Sequence, residues 1–230
     1  MNAVLLDPAR LERPDLVLRK QPFPFLIAHG QLPDDARADL ERDFPRYGEA
    51  GFFPYDAAEC GPAVNALVGQ LTAPEFARAV GGYLGIDDLG QYPTLVTLCR
   101  ALNLRHGTIH TDSTSKVATA LLYLNPQWPD ISEGCLRFLN RIDDIDDLAA
   151  PELKPLYGEL AVFKRCDNSF HGHLPYQGER RVVQVAWLVS EEAKARKTRR
   201  GKFSRAFKKL FGGLDRKIGA GRGRSDSHQG

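Results

Sequence analysis

Apolar residues recur along this chain with two different periods, and the change falls near residue 92. Before it the pattern is largely helical. Residues 21–30 (QPFPFLIAHG) are an exception: apolar and bounded by prolines, they read as a strand. Pro33-Asp34-Asp35 then opens a helix that runs to about Asp43 and stops before Pro45. Helical spacing returns at 62–71 and at 73–84, where Phe76, Ala79, Val80 and Tyr83 share a face. Thr72, between the two, is the expected N-cap of the second.

From about residue 92 the segments are shorter and rich in Val, Leu, Thr and aromatics. They are YPTLVTLCRAL, KVATALLYLN, GCLRFLN, GELAVFKR and RRVVQVAWLV, separated by turn residues. Strands following a helical start predict an α+β fold: a β-sandwich or barrel with helices packed outside. Between them, residues 140–156 (NRIDDIDDLAAPELKPL) form an acidic stretch expected to be an exposed loop. Residues 191–217 read as helical. Phe203, Phe207, Leu210, Phe211 and Leu214 lie on one face, and Lys202, Arg205, Lys208 and Lys209 supply charge around it. The last residues, GAGRGRSDSHQG, have the composition of a disordered end.

Composition places the 230 residues in the soluble globular class, with 43% hydrophobic and 26% charged side chains. No apolar run reaches the ~18 residues of a membrane span. The N-terminus lacks the basic start and long apolar region of a signal peptide. Cys60, Cys99, Cys135 and Cys166 are widely spaced, with no Cys-x-x-Cys pair, and read as reduced thiols. These features together predict a cytoplasmic protein. The net charge of +2 conceals an asymmetry: residues 1–193 carry 18 Lys and Arg against 27 Asp and Glu, residues 194–230 carry 13 against 2. Hence the expected organisation is a domain over 1–193 with its core at about 92–190, and a basic helical tail over 194–230. The tail suits either packing on the acidic body or contact with an anionic partner or surface.

Candidate chemistry starts at His110-Thr-Asp112. On an extended segment, residues two apart point the same way, so an imidazole and a carboxylate can reach one metal ion. A third ligand must come from elsewhere, and His171 and His173, after the strand GELAVFKR, are the candidates. Two His and a carboxylate on one face of a metal leave positions open, a set that suits iron(II). Arg180 and Arg181 open the strand RRVVQVAWLV, where one of them would point inward to bind an anionic cosubstrate through its planar fork.

The order of these features is specific: His110-Thr-Asp112, TALLYLN ending at Asn125, Gly134-Cys-Leu136, Gly158-Glu-Leu160-Ala-Val-Phe163, His171, Pro175, Arg181 and Trp187. In this order and spacing, residues from about 92 to 188 resemble the catalytic domain of the iron(II)/2-oxoglutarate-dependent oxygenases, in the prolyl 4-hydroxylase-like branch. The opening FPFLIAHGQLPDDARADLERDFP is similar to the usual start of that branch.

The resemblance implies a double-stranded β-helix of jelly-roll type and a hydroxylase using Fe(II), 2-oxoglutarate and O2, with room for ascorbate. It makes His171 the third metal ligand, with His173 in reserve. It gives the far carboxylate of 2-oxoglutarate to Arg181, or to Arg180 if the preceding turn is one residue shorter, with Tyr123 hydrogen-bonding the same carboxylate. One departure stands out. Many relatives carry a Tyr upstream of the His-x-Asp, whereas RALNLRHGTIH has none, leaving Asn103 or nothing in its place. The branch contains enzymes acting on protein prolyl residues and on small molecules, so the substrate stays unassigned. Two other classes compete: a non-catalytic jelly-roll adaptor whose tail is the working part, and a zinc-type hydrolase on the same triad.

Overall fold

The computed structural model describes residues 4–199. Its strands are β1 (Val17–Arg19), β2 (Phe25–Ala28), β3 (Phe52–Pro54), β4 (Thr94–Leu102), β5 (Lys116–Tyr123), β6 (Arg137–Phe138), β7 (Leu160–Lys164), β8 (His171–Gly172) and β9 (Gly178–Leu188). Helices α1 (Arg37–Asp43), α2 (Pro62–Leu71) and α3 (Pro74–Leu84) precede β4, and a short 3-10 turn at Asp34–Ala36 leads into α1. Seven strands form one antiparallel sheet in the order β1-β2-β7-β5-β9-β4-β3, while β6 and β8 pair separately.

Strand alternation divides the core in two. On β5, Ala118, Ala120 and Leu122 join Val183 and Val185 of β9 on one face, packed with Leu67, Leu71, Phe76 and Val80 of the helices. Thr119, Leu121 and Tyr123 point the other way. There, Leu121 and Tyr123 meet Phe25, Phe163 and Val182 of the large sheet and Leu136, Phe138 and Leu153 of the opposite layer. Both faces of β5 are therefore covered, which is why six consecutive residues of it are buried.

The helical layer is fixed by local chemistry. Pro62 and Pro74 start α2 and α3 at a position where a missing N–H costs nothing. Thr72 is not the N-cap of α3. It closes α2, its hydroxyl donating to the Val68 carbonyl at 2.8 Å, and the cap position belongs to Ala73. The reason is Pro74, which forces the residue before it into the extended region, ψ 141° at Ala73. Asp43 reaches across from the end of α1 and accepts the Ala63 N–H at 2.7 Å, capping α2 from outside. A Cβ on Gly61 would lie 2.3 Å from the Asp43 carboxyl carbon, so this approach needs glycine.

Two expectations change in the opposite layer. GCLRFLN supplies only the two residues of β6, and Leu136 and Leu139 make single bridges to Leu153 and Leu148. Those partners lie in the later part of 140–156, which packs on this layer, while residues 140–144 are exposed as expected. Ala150 and Leu153 are buried. Buried Arg137 pairs with Asp146 and Glu152, at 2.5 and 2.9 Å. After β9 a helix begins at residue 191, its Ala193 N–H bonded to the Ser190 hydroxyl. The apolar face expected at Phe203, Phe207, Leu210, Phe211 and Leu214 lies outside the described residues, as does the terminal stretch. Among the described residues no helix is long and apolar enough to cross a membrane.

Candidate metal centre

His110 follows the loop that leaves β4, and His171 opens β8. The two backbones form a closed antiparallel pair, with His110 N–H to His171 O and His171 N–H to His110 O both 3.0 Å. Residues directly opposite in such a pair present their side chains on one face. The two imidazole rings accordingly stand 4.4 Å apart, centroid to centroid. Asp112, two residues on, joins them. One ligand atom from each of His110, Asp112 and His171 lies within 4.8 Å of the others. His173 is not in this cluster, so the structure separates the two candidates for the third position in favour of His171.

Each member is oriented by a second contact. Nδ1 of His110 lies 2.8 Å from the Thr108 carbonyl, and Nδ1 of His171 lies 2.9 Å from that of Ser169. A carbonyl can only accept, so each Nδ1 carries a hydrogen and Nε2 is the ring atom left to face a metal, the arrangement metal-binding histidines adopt. Burial pushes the His171 imidazole down to about 4, which keeps it neutral. Asp112 accepts from Lys116 Nζ (2.7 Å) on one oxygen and from the Thr119 hydroxyl (2.5 Å) on the other. Burial works to raise its carboxyl. The Lys116 charge, His171 and the two hydrogen bonds outweigh burial and hold it below the usual carboxylate range. Two imidazole nitrogens and a carboxylate fit a divalent metal.

The cluster opens into a cavity of about 490 Å³. At its inner end is Arg180, buried, whose Nε donates to the Gly134 carbonyl (2.7 Å) and whose Nη2 donates to the Tyr123 hydroxyl (3.1 Å). The guanidinium carbon sits 4.9 Å from the Tyr123 ring centroid. Burial raises the Tyr123 pKa against the opposing pull of Arg180, so the phenol keeps its proton. Arg181, the residue the spacing favoured, points away. Its guanidinium pairs with Glu41 (3.0 Å) and Glu179 (2.7 Å) on the far side of the strand. The cause is strand alternation, with register fixed by buried Asn125, whose side-chain oxygen accepts the Arg181 N–H at 2.8 Å.

Asn103 does not stand in for the missing upstream Tyr. Its side chain accepts the Arg105 N–H and its carbonyl meets His106, so it builds its own turn and does not line the cavity. Two contributors escape the sequence reading: Lys116 and the hydroxyl of Thr119. The only signal was that Thr119 alternates with Leu121 and Tyr123.

Residues 99–189 match the family model of the 2OG-Fe(II) oxygenase superfamily. The chain is similar to a prolyl-4-hydroxylase from Pseudomonas putida, at 21% identity and a TM-score of 0.50 over 71% of this chain and 91% of that one. It is also similar to the viral collagen prolyl hydroxylase of Paramecium Bursaria Chlorella virus-1, solved in complex with 2OG. There the identity is 16% and the TM-score 0.50, over 72% of this chain and 96% of that one. At these identities the likeness is one of fold. No curated protein matches the chain by sequence. Residues 99–189 are thus similar to the 2OG-Fe(II) oxygenase family, on a fold shared with prolyl 4-hydroxylases of known structure.

Proposed function

We propose that this protein is an iron(II)- and 2-oxoglutarate-dependent hydroxylase in which His110, Asp112 and His171 hold the metal. Arg180 and Tyr123 hold the far carboxylate of 2-oxoglutarate. The observation that carries the reading is the convergence of the three ligand atoms within 4.8 Å, each histidine presenting its Nε2. When bound, iron and 2-oxoglutarate supply the oxidising chemistry, with O2 consumed and succinate and CO2 formed.

The residues of the chain supply position and charge. His110 and His171 arrive prealigned, because the backbone bonds between them fix both strands. Thr119 and Lys116 restrain the Asp112 carboxylate, so its ligand oxygen is presented without a rotamer search. Arg180 offers a fixed cation at the buried end, and the Tyr123 hydroxyl adds a donor beside it. Leu121, Leu136 and Phe163 line the wall near the triad and keep water from the reacting centre. A carboxylate ligand, a buried cation and a dry wall are what such an oxidation needs; a non-catalytic adaptor needs none of them.

The prolyl hydroxylases with this fold support a substrate that is a prolyl residue of a protein or a proline-like small molecule. The decisive measurement is succinate formation by the purified protein with 2-oxoglutarate and iron(II), in air. We expect formation that needs both additions and stops on chelation. No succinate under these conditions, or the same amount without iron, would reject the assignment.

A further inference from the structure

The cavity runs against the charge of the body that holds it. Residues 1–193 carry 18 Lys and Arg against 27 Asp and Glu. The cavity wall carries Arg105, Lys116 and Arg180 against the carboxylate of Asp112. Lys116 is engaged by Asp112, and Arg180 by Gly134 and Tyr123. The Arg105 guanidinium has no partner among the described residues.

Arg105 is held near the metal ligands by its loop. The Gly107 carbonyl accepts the His173 N–H at 3.1 Å, just beyond the bonded pair His110–His171. Gly107 has φ +108°, and a Cβ there would lie 2.5 Å from the His173 carbonyl oxygen, so the loop backs directly onto β8. The rim that carries Arg105 therefore cannot drift from the metal site without breaking this contact.

A second observation falls on the same side. Gln184 of β9 lines the cavity. Its register partner on β4 is Thr97, whose hydroxyl is buried and has no hydrogen-bond partner. Phe52 of edge strand β3 completes this side and is 38% exposed. Gln184 thus supplies a polar group to a cavity that Leu121, Leu136 and Phe163 line with apolar side chains, and the partnerless Thr97 hydroxyl lies beside it in the sheet.

We propose that the substrate carries a carboxylate, that Arg105 binds it at the cavity mouth, and that the Gln184 amide hydrogen-bonds the same molecule deeper in. This rests on the hydroxylase reading above and narrows its substrate class. A guanidinium pairs with a carboxylate through two parallel bonds, which gives direction as well as attraction. Uncompensated cationic charge at the cavity mouth draws an acid toward it. The carboxylate of a free imino acid and an acidic residue beside a prolyl residue in a peptide offer the same chemistry.

The test uses two matched pairs: N-acetylproline with its amide, and acetyl-Ala-Pro-Glu-amide with acetyl-Ala-Pro-Gln-amide. Each is titrated calorimetrically into the protein held with zinc(II) and 2-oxoglutarate, so that binding is read without turnover. In at least one pair the acid should bind ~10-fold more tightly than its neutral partner, as expected for one well-formed Arg–carboxylate pair. That ratio should fall to near one in Arg105→Gln, be partly kept in Arg105→Lys, and invert in Arg105→Glu. Which pair shows it identifies the source of the carboxylate. Equal binding within both pairs, no binding by any probe, or a preference that survives Arg105→Gln would overturn the proposal. Succinate formed by the iron-loaded protein without any probe reports on the hydroxylase reading separately, so the two can fail independently.

Discussion

The large sheet has two faces made from alternate residues of the same strands, and they solve opposite problems. On the helix side, Ala118, Ala120, Leu122, Val183 and Val185 meet side chains of α2 and α3 in an apolar layer. On the cavity side, Thr119, Tyr123 and Arg180 bring polar and charged groups to the same depth, tied to Asp112, to one another and to the Gly134 carbonyl. One face is stabilised by excluding water without direction. The other depends on directed contacts, each costly to leave half-made. Packing on the first face lets the second carry groups that contribute little to stability.

The contrast predicts that a change on one face alters chemistry and on the other alters folding. The largest effect is expected from His110→Ala, the exposed member of the proposed triad: iron-dependent succinate formation should fall by more than ~100-fold, with the urea midpoint nearly unchanged. If turnover persists, the cavity face is not the catalytic one. Leu122→Ala on the opposite face should cost about 2–5 kcal/mol in urea unfolding. The metal affinity of the molecules that remain folded should be unchanged. A loss of iron binding at constant stability would show that the faces are not separable.

The comparison is sharpest at two neighbouring residues of β9. Arg180→Gln should raise the 2-oxoglutarate concentration needed for half-maximal succinate formation by ~10–100-fold, the worth of a charged hydrogen-bonding pair. Arg181→Gln removes the contacts to Glu41 and Glu179 and should shift the unfolding midpoint instead. Exchanged outcomes would return the cosubstrate role to Arg181.

The smallest expected effect concerns acid. Burial tends to raise the Asp43 carboxyl, but Arg42 and the Ala63 N–H prevail and hold it below its ordinary value. A carboxyl depressed on folding adds stability above its unfolded pKa, and this is lost as pH falls through the folded value. Asp43→Asn should therefore lose less stability than the parent between pH 7 and pH 3, by less than ~1 kcal/mol. Equal acid losses, read from urea midpoints, would remove Asp43 from the account.

Much of this was legible in the sequence. The helices at 62–71 and 74–84 and strands β4, β5, β7 and β9 were found because each is long enough for its period to show. Strands β1, β3 and β8 were missed because two or three residues carry no period. Thr72 was assigned to the wrong helix because a capping residue serves either end, and only Pro74 decides. The acidic stretch 140–156 read as exposed, and 140–144 is, but Ala150 and Leu153 are buried, because charge is visible in sequence and the layer it packs on is not.

The sequence by itself determined the candidate ligand types, the order of the strands that carry them and the resemblance to 2-oxoglutarate-dependent oxygenases. These depend on local spacing, and spacing is written along the chain. Only the tertiary structure showed that His171 and not His173 joins His110 and Asp112, that Arg180 and not Arg181 lines the cavity, and that Lys116 and Thr119 bond Asp112. Those choices turn on which of two adjacent residues faces inward. Strand register sets that, and here it follows from long-range contacts: the His110–His171 backbone pair and the bond from Arg181 N–H to Asn125.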